Sequence, residues 1–196
     1  MDAIGEHARG LAAIRRRVPE SILGLAVVAG LLFLAQAFVI QAFTVSSASM
    51  LPTLLPGDSV LVNRLVYHLH PPRRGDIIVF HFPQADGREF VKRVIGVPGD
   101  VVREGGGRLY VNGALLAQAQ TIDSNAQLEP EGSQLPRLVP AGRLYALGDN
   151  SEASLDSRFW GTVDERDVIG KAFLICWSRG KHWWEVRWNR IGRWLP

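Results

Sequence analysis

The sequence predicts a mainly β domain tethered by one apolar helix at its N-terminus. Three observations carry that prediction. Short segments rich in Val, Ile, Leu and aromatic residues recur from residue 58 to residue 177, each about a strand long. Clusters of Gly, Pro and Asp separate them, as in "PPRRGD" (71–76), "GVPGD" (96–100) and "EGGG" (104–107). Ahead of them runs "ILGLAVVAGLLFLAQAFVI", Ile22 to Ile40, nineteen residues with no charge and one strongly polar side chain, Gln36.

Taken in order, residues 1–20 form a basic N-terminal segment and residues 21–43 a transmembrane helix. At about 1.5 Å rise per residue the apolar run covers roughly 28 Å, close to the hydrocarbon thickness of a bilayer. It is apolar all round, whereas a soluble helix keeps a polar face. Arg15, Arg16 and Arg17 precede it and place that end in the cytoplasm by the positive-inside tendency. The competing reading is a cleaved secretory signal, because "AQA" at 35–37 has a small-x-small pattern. The apolar run continues past that point through Phe38, Val39 and Ile40, which favours an uncleaved anchor.

Residues 44–196 then make an extracytoplasmic β-rich domain. Its strands read as 58–63, 76–82, 89–96, 100–104, 108–113, 143–148 and 168–177. Residues 117–142 are polar and proline-containing, a surface excursion. The tail, 178–196, follows Trp177; from Trp177 onward lie five of the six tryptophans and six basic residues, His182 included, against one Glu. Trp with Arg and Lys suits a membrane interface, although the same aromatics could complete a core.

Composition narrows the chemistry. With 47% hydrophobic and 21% charged residues the chain is globular in type. A net charge of +3 without a concentrated basic stripe gives no nucleic-acid partner. Cys176 is the only cysteine, so no intrachain disulfide forms. His68, His70, His81 and His182 lack the spacing of a metal site or a Ser-His-Asp triad, and no G-x-S-x-G, Walker or dinucleotide motif occurs. No metal and no cofactor is expected.

Lysine is what remains. "EFVKRVIG" sets Lys92 and Arg93 side by side in an apolar strand, on opposite faces. One of them must approach the core. Arg keeps its proton, whereas burial can drive a Lys towards neutrality, and a neutral amine can serve a serine as general base. Alternation leaves equally open a Lys92 on the exposed side of an edge strand. Serines crowd "VSSASMLPTLLPGDSVLV" just behind the apolar run, and "GDNSEASLDSRFWG" (148–161) packs Ser154, Asp156 and Arg158 into one polar loop.

Together these segments resemble the type I signal peptidases, membrane-bound serine proteases of Ser-Lys type with a coiled β-sheet domain. The likeness rests on four ordered blocks: "SSASMLPTL" (46–54), "GDSVLVNRLVY" (57–67), "VKRVIGVPGDVV" (91–102) and "GDNSEASLDSR" (148–158). The resemblance implies Ser49 as nucleophile, Lys92 as general base and Ser47 in the oxyanion hole. It further implies Ser154 orienting the Lys92 amine, with Asp156 and Arg158 organising that loop. Phe43, Val45, Leu54, Phe90 and Val91 match positions lining two shallow substrate pockets. Ser46 and Ala48 stand where Pro and Gly are common in the family, and Ser151-Glu152-Ala153 where Arg-Asp-Asn is usual, which predicts weaker bracing of the last loop.

The implied activity is cleavage of signal peptides from exported preproteins after a small-x-small motif. The implied partners are those preproteins, the lipid bilayer and, functionally, the export machinery. The expected location is the inner (plasma) membrane, with a single pass, the N-terminus cytoplasmic and the catalytic domain periplasmic. Two other readings stay open on the residues alone: a tethered β module that binds a peptide by strand addition, and a Ser-Lys peptidase with another substrate.

Overall fold

The computed structural model describes residues 22, 24–25, 27–30, 39–82, 87–105, 108–116, 137–182 and 184–196. The chain divides into two units, Met1–Phe38 and Val39–Pro196. In the first, the described residues are helical. Among the described residues no helix is long and apolar enough to cross a membrane, and within the 21–43 span residues 21, 23, 26 and 31–38 lie outside them. Its end is corrected: the expected helix stops short, because Ile40–Thr44 is a strand, β1. Five consecutive residues pair antiparallel from Ile40↔Asn63 to Thr44↔Ser59, so the edge of the next strand satisfies a backbone that a helix would otherwise have had to satisfy itself.

The second unit continues with β2 (Asp58–Asn63), α1 (Val66–Leu69), β3 (Ile77–His81) and β4 (Glu89–Gly96). After these come β5 (Val101–Gly105), β6 (Arg108–Val111), β7 (Ala114–Leu115), β8 (Arg137–Leu138) and β9 (Arg143–Leu147). The chain ends through α2 (Ser157–Trp160), β10 (Val163–Asp164) and β11 (Val168–Ser178). All seven strands expected from composition form. Four that were not expected join them, β1, β7, β8 and β10, and three of these are only two residues long, too short for alternation to register.

A seven-stranded antiparallel sheet has the order β1-β2-β11-β3-β4-β9-β10, and a four-stranded sheet the order β7-β6-β5-β8. One core cluster joins Val45, Met50 and Leu54 to Val60, Val62, Ile77, Val79, Val91 and Ile175. The segment carrying the serines is therefore seated on the large sheet by its own apolar residues. A second cluster, including Val102, Leu109, Val111, Val139 and Tyr145, holds the small sheet.

The excursion needs correcting at its end. Residues 117–136 lie outside the described residues, but Arg137–Leu138 pair with β5 and Val139 is buried, so the chain has rejoined the small sheet before residue 142. The tail divides between the two readings offered for it. Leu195 packs into the core, and the Leu195 and Ile175 N–H groups bond to Phe173 O and Arg193 O at 2.8 and 3.0 Å. Trp184, Trp188 and Trp194 remain exposed.

Candidate active site

Ser49 lies in a single 3-10 turn, Ala48–Met50. The turn is pegged by Met50 and Leu54, both fully buried, and closed by Leu54 N–H donating to Met50 O at 2.8 Å. Between such pegs Ser49 has little freedom, and it is itself 97% hidden from solvent, with an exposure of 3%.

Lys92 comes from β4, where Ile78 of β3 pairs with it. Its Nζ donates to Ser49 Oγ at 2.7 Å. Alternation left one of the two cations outside, yet both are buried, because β4 has β3 on one side, β9 on the other, and packed clusters over both faces. Arg93 is paired: Nε and Nη2 donate to Asp149 Oδ1 and Oδ2, each at 2.7 Å, and Nη1 donates to Gly75 O at 2.9 Å. Among the described residues Lys92 forms no ion pair with a carboxylate. Burial pushes its pKa down from 10.5 to about 8, with Asp156 and Asp149 opposing the fall and Arg158 adding to it.

The 148–158 loop closes over this pair. Asp156 is fully buried; Oδ2 accepts from Gly148 N–H at 3.0 Å, and both oxygens accept from Arg158, at 2.8 and 2.9 Å. Arg158 Nη2 also donates to Ser151 O at 2.9 Å, which braces the Ser151-Glu152-Ala153 stretch. Ser154 is brought into the site but not into the bond expected of it. Its Oγ is buried without a hydrogen-bond partner among the described residues, Lys92 Nζ included. Ser47 is exposed, with Oγ 3.1 Å from Ser49 Oγ.

A cavity of about 210 Å³ opens onto Ser49 and Lys92. Phe43, Phe90 and Val91 line it, together with Ser46, Glu89, Ala153 and Leu155. Val45 and Leu54 do not line it. They point into the core at 1% and 0% exposure, since the turn needs them as anchors.

Several residues without an assigned role hold the site. Asn150 clasps the serine turn: its N–H donates to Ser49 O at 2.9 Å and its Nδ2 to Ala48 O at 3.1 Å. Asp58, fully buried, accepts from Leu55 N–H at 2.9 Å, Ser178 Oγ at 2.6 Å and Arg190 Nη2 at 2.6 Å. Arg190 Nη2 further donates to Thr53 O at 2.9 Å, tying the tail to the serine segment. Asp58 opens a strand and Asn150 lies in a polar loop, and nothing local in the sequence names their distant partners. Among the described residues no group of His, Cys, Asp and Glu is arranged to hold a metal.

Residues 18–177 match the signal peptidase, peptidase S26 family. The chain is 42% identical to signal peptidase I of Leptolyngbya laminosa over 163 residues, 79% of this chain and 76% of that one. It is 36% identical to probable signal peptidase I-1 of Synechocystis, covering 89% of this chain and 87% of the relative. Against signal peptidase IB of Staphylococcus aureus the identity is 34%, over 86% and 95% of the two chains. The match runs through the serine turn, the lysine strand and the closing loop alike, and the chain belongs to the peptidase S26 family of signal peptidases.

Proposed function

We propose that this signal peptidase cuts preproteins with a Ser49–Lys92 dyad. Family membership makes the chain a serine peptidase that removes signal peptides. What supports the dyad is one observation above all: a buried amine 2.7 Å from a buried serine hydroxyl. Neutral Lys92 takes the Ser49 proton as the oxygen attacks the scissile carbonyl. The tetrahedral oxyanion is met by the Ser47 hydroxyl and the Ser49 N–H. Lys92 then passes its proton to the leaving amine, and water resolves the acyl-enzyme by the same route. The Asp156–Arg158 pair fixes the loop beside the dyad.

Phe43, Phe90 and Val91 give the cavity an apolar wall of modest size, which suits the small side chains of a small-x-small motif. The apolar run supports a location in the plasma membrane with the domain on the extracytoplasmic side, and the exposed Trp188 and Trp194 suit that interface. Processing of a preprotein by the full chain tests the dyad. Ser49→Ala and Lys92→Ala are each expected to lower kcat by about 10⁴ or more without loss of folding. Full activity in either variant would exclude it.

A further inference from the structure

β4 is paired unevenly along its length. From Glu89 to Lys92 each residue faces a partner on β3, from His81 to Ile78, whereas on the other side β9 begins to pair only at Arg93. Among the described residues the first half of β4 therefore has one edge with no strand beside it, and that half borders the cavity on Ser49. Glu89, Phe90, Val91 and Lys92 all line the cavity for that reason, although consecutive residues of a strand point to opposite faces.

Glu89 has no part in the dyad. Among the described residues it is the one acidic side chain of the cavity, and it forms no ion pair there. It is half-buried, while the basic side chains nearest to it in position, Arg88 before it in the chain and His81 opposite it on β3, are exposed. Lys92 is the only other side chain of the cavity that changes charge, and as a general base it works in its neutral form. The cavity ready for reaction thus presents a single carboxylate, on a chain whose net charge is +3.

Its place along a substrate follows from the strand. Three residues on from Glu89 comes Lys92, about 10 Å of extended chain away. Phe90 and Val91, the wall for the small side chains ahead of the cut, lie between them. Glu89 stands beyond that wall, on the side of the residues that precede the scissile bond.

We infer that Glu89 is a specificity residue: it selects preproteins with a basic or neutral side chain roughly three to five residues before the scissile bond and turns away those with an acidic one. This rests on the Ser49–Lys92 reading, which sets the bond to be cut against Lys92. Two like charges a few ångströms apart at a half-exposed site repel enough to lower kcat/KM about five- to tenfold, and a charge of opposite sign gains by a similar factor.

The test uses the full chain, Glu89→Gln and Glu89→Arg on peptides that differ only in carrying Lys, Gln or Glu at one position, scanned on both sides of the bond. The quantity read is the ratio of kcat/KM for the Lys peptide to that for the Glu peptide, which an overall loss of activity does not move. In the parent this ratio is expected to reach about tenfold or more before the bond, to stay near one after it, and to shrink as salt rises. Glu89→Gln is expected to bring it near one and Glu89→Arg to invert it. The chain's net positive charge would favour the Glu peptide, so general attraction cannot imitate the expected sign. A parent ratio near one at every position, a preference confined to residues after the bond, or a ratio that Glu89→Gln leaves unchanged would each overturn the role of Glu89. The salt dependence of the parent needs no variant to fold, and a preference unmoved by salt would mark shape instead of charge and overturn it as well. Ser49→Ala run on the Gln peptide separates the two readings: hydrolysis there would remove the dyad, and with it the position assigned to Glu89.

Discussion

At the scale of single residues the decisive side chain is Lys92. A serine in a polar turn and a lysine in a strand were both legible, but not the bond between them, which joins residues 43 positions apart. Period-two alternation treats a strand as having one wet face, and that premise fails for a strand with neighbours on both sides and packing above and below. Burial is also what makes the lysine useful. With its pKa near 8, the neutral fraction falls about tenfold for each pH unit below that value, so kcat/KM is expected to rise at about that slope and level off above pH 9. A pH–rate profile that stays flat down to pH 5 would contradict a lysine base. The same burial costs stability. Between about pH 8 and 10.5 the unfolded chain binds the proton that the folded one has released, so stability rises with pH across that window and carries its full penalty below it. Lys92→Met, inactive, is expected to gain on the order of 3 kcal/mol at pH 6 relative to the parent, measured by urea unfolding.

The next scale is that of turns and strands, where the 148–158 loop shows how backbone packing sets a site. A Cβ at Gly148 would collide with Ser49 O and Ser154 Oγ, so the loop closes on the serine turn only because that position has no side chain. Gly148→Ala is expected to push the loop off Ser49 and lower kcat by at least about tenfold with a smaller change in KM, since Asn150 would lose its grip on the turn. Steady-state kinetics on a peptide substrate check the split. The glycine was visible in the sequence as a strand terminator. Its contact with Ser49 was not, because it depends on how two loops a hundred residues apart are brought together. Strand composition, by contrast, read well: "DSVLVN" and "EFVKRVIG" match β2 and β4 residue for residue. Two-residue strands such as β8 and β10 exist only because a neighbour is there to pair with, and their own composition carries no sign of it.

For the molecule as a whole, the C-terminal tail is a structural part of the domain. Burial pushes the Asp58 carboxyl up, but donors on Arg190, the Leu55 N–H and Ser178 overcome it and hold the pKa below the ordinary carboxylate range. A depressed carboxylate stabilises the fold above its unfolded pKa and loses that contribution as pH falls through the folded value. Asp58→Asn is therefore expected to be less stable than the parent at pH 7 and to close the gap under acid conditions, a convergence that thermal unfolding across pH would reveal. Equal differences at every pH would count against it. A tail defined by tryptophans and arginines suggested a surface role, and only the fold shows that Arg190 and Leu195 lock it inward. At the other end of the domain, β1 has a further consequence. Ser49 stands nine residues beyond Ile40, and the first five of that stretch are ruled off against β2 in unbroken register. At about 3.3 Å per residue those five make a gauge of roughly 16 Å. The offset between Ile40 and Ser49 is ruled by a stiff strand, as a fence sets the width of a saw cut, so replacing everything upstream of Val39 is expected to leave it unchanged.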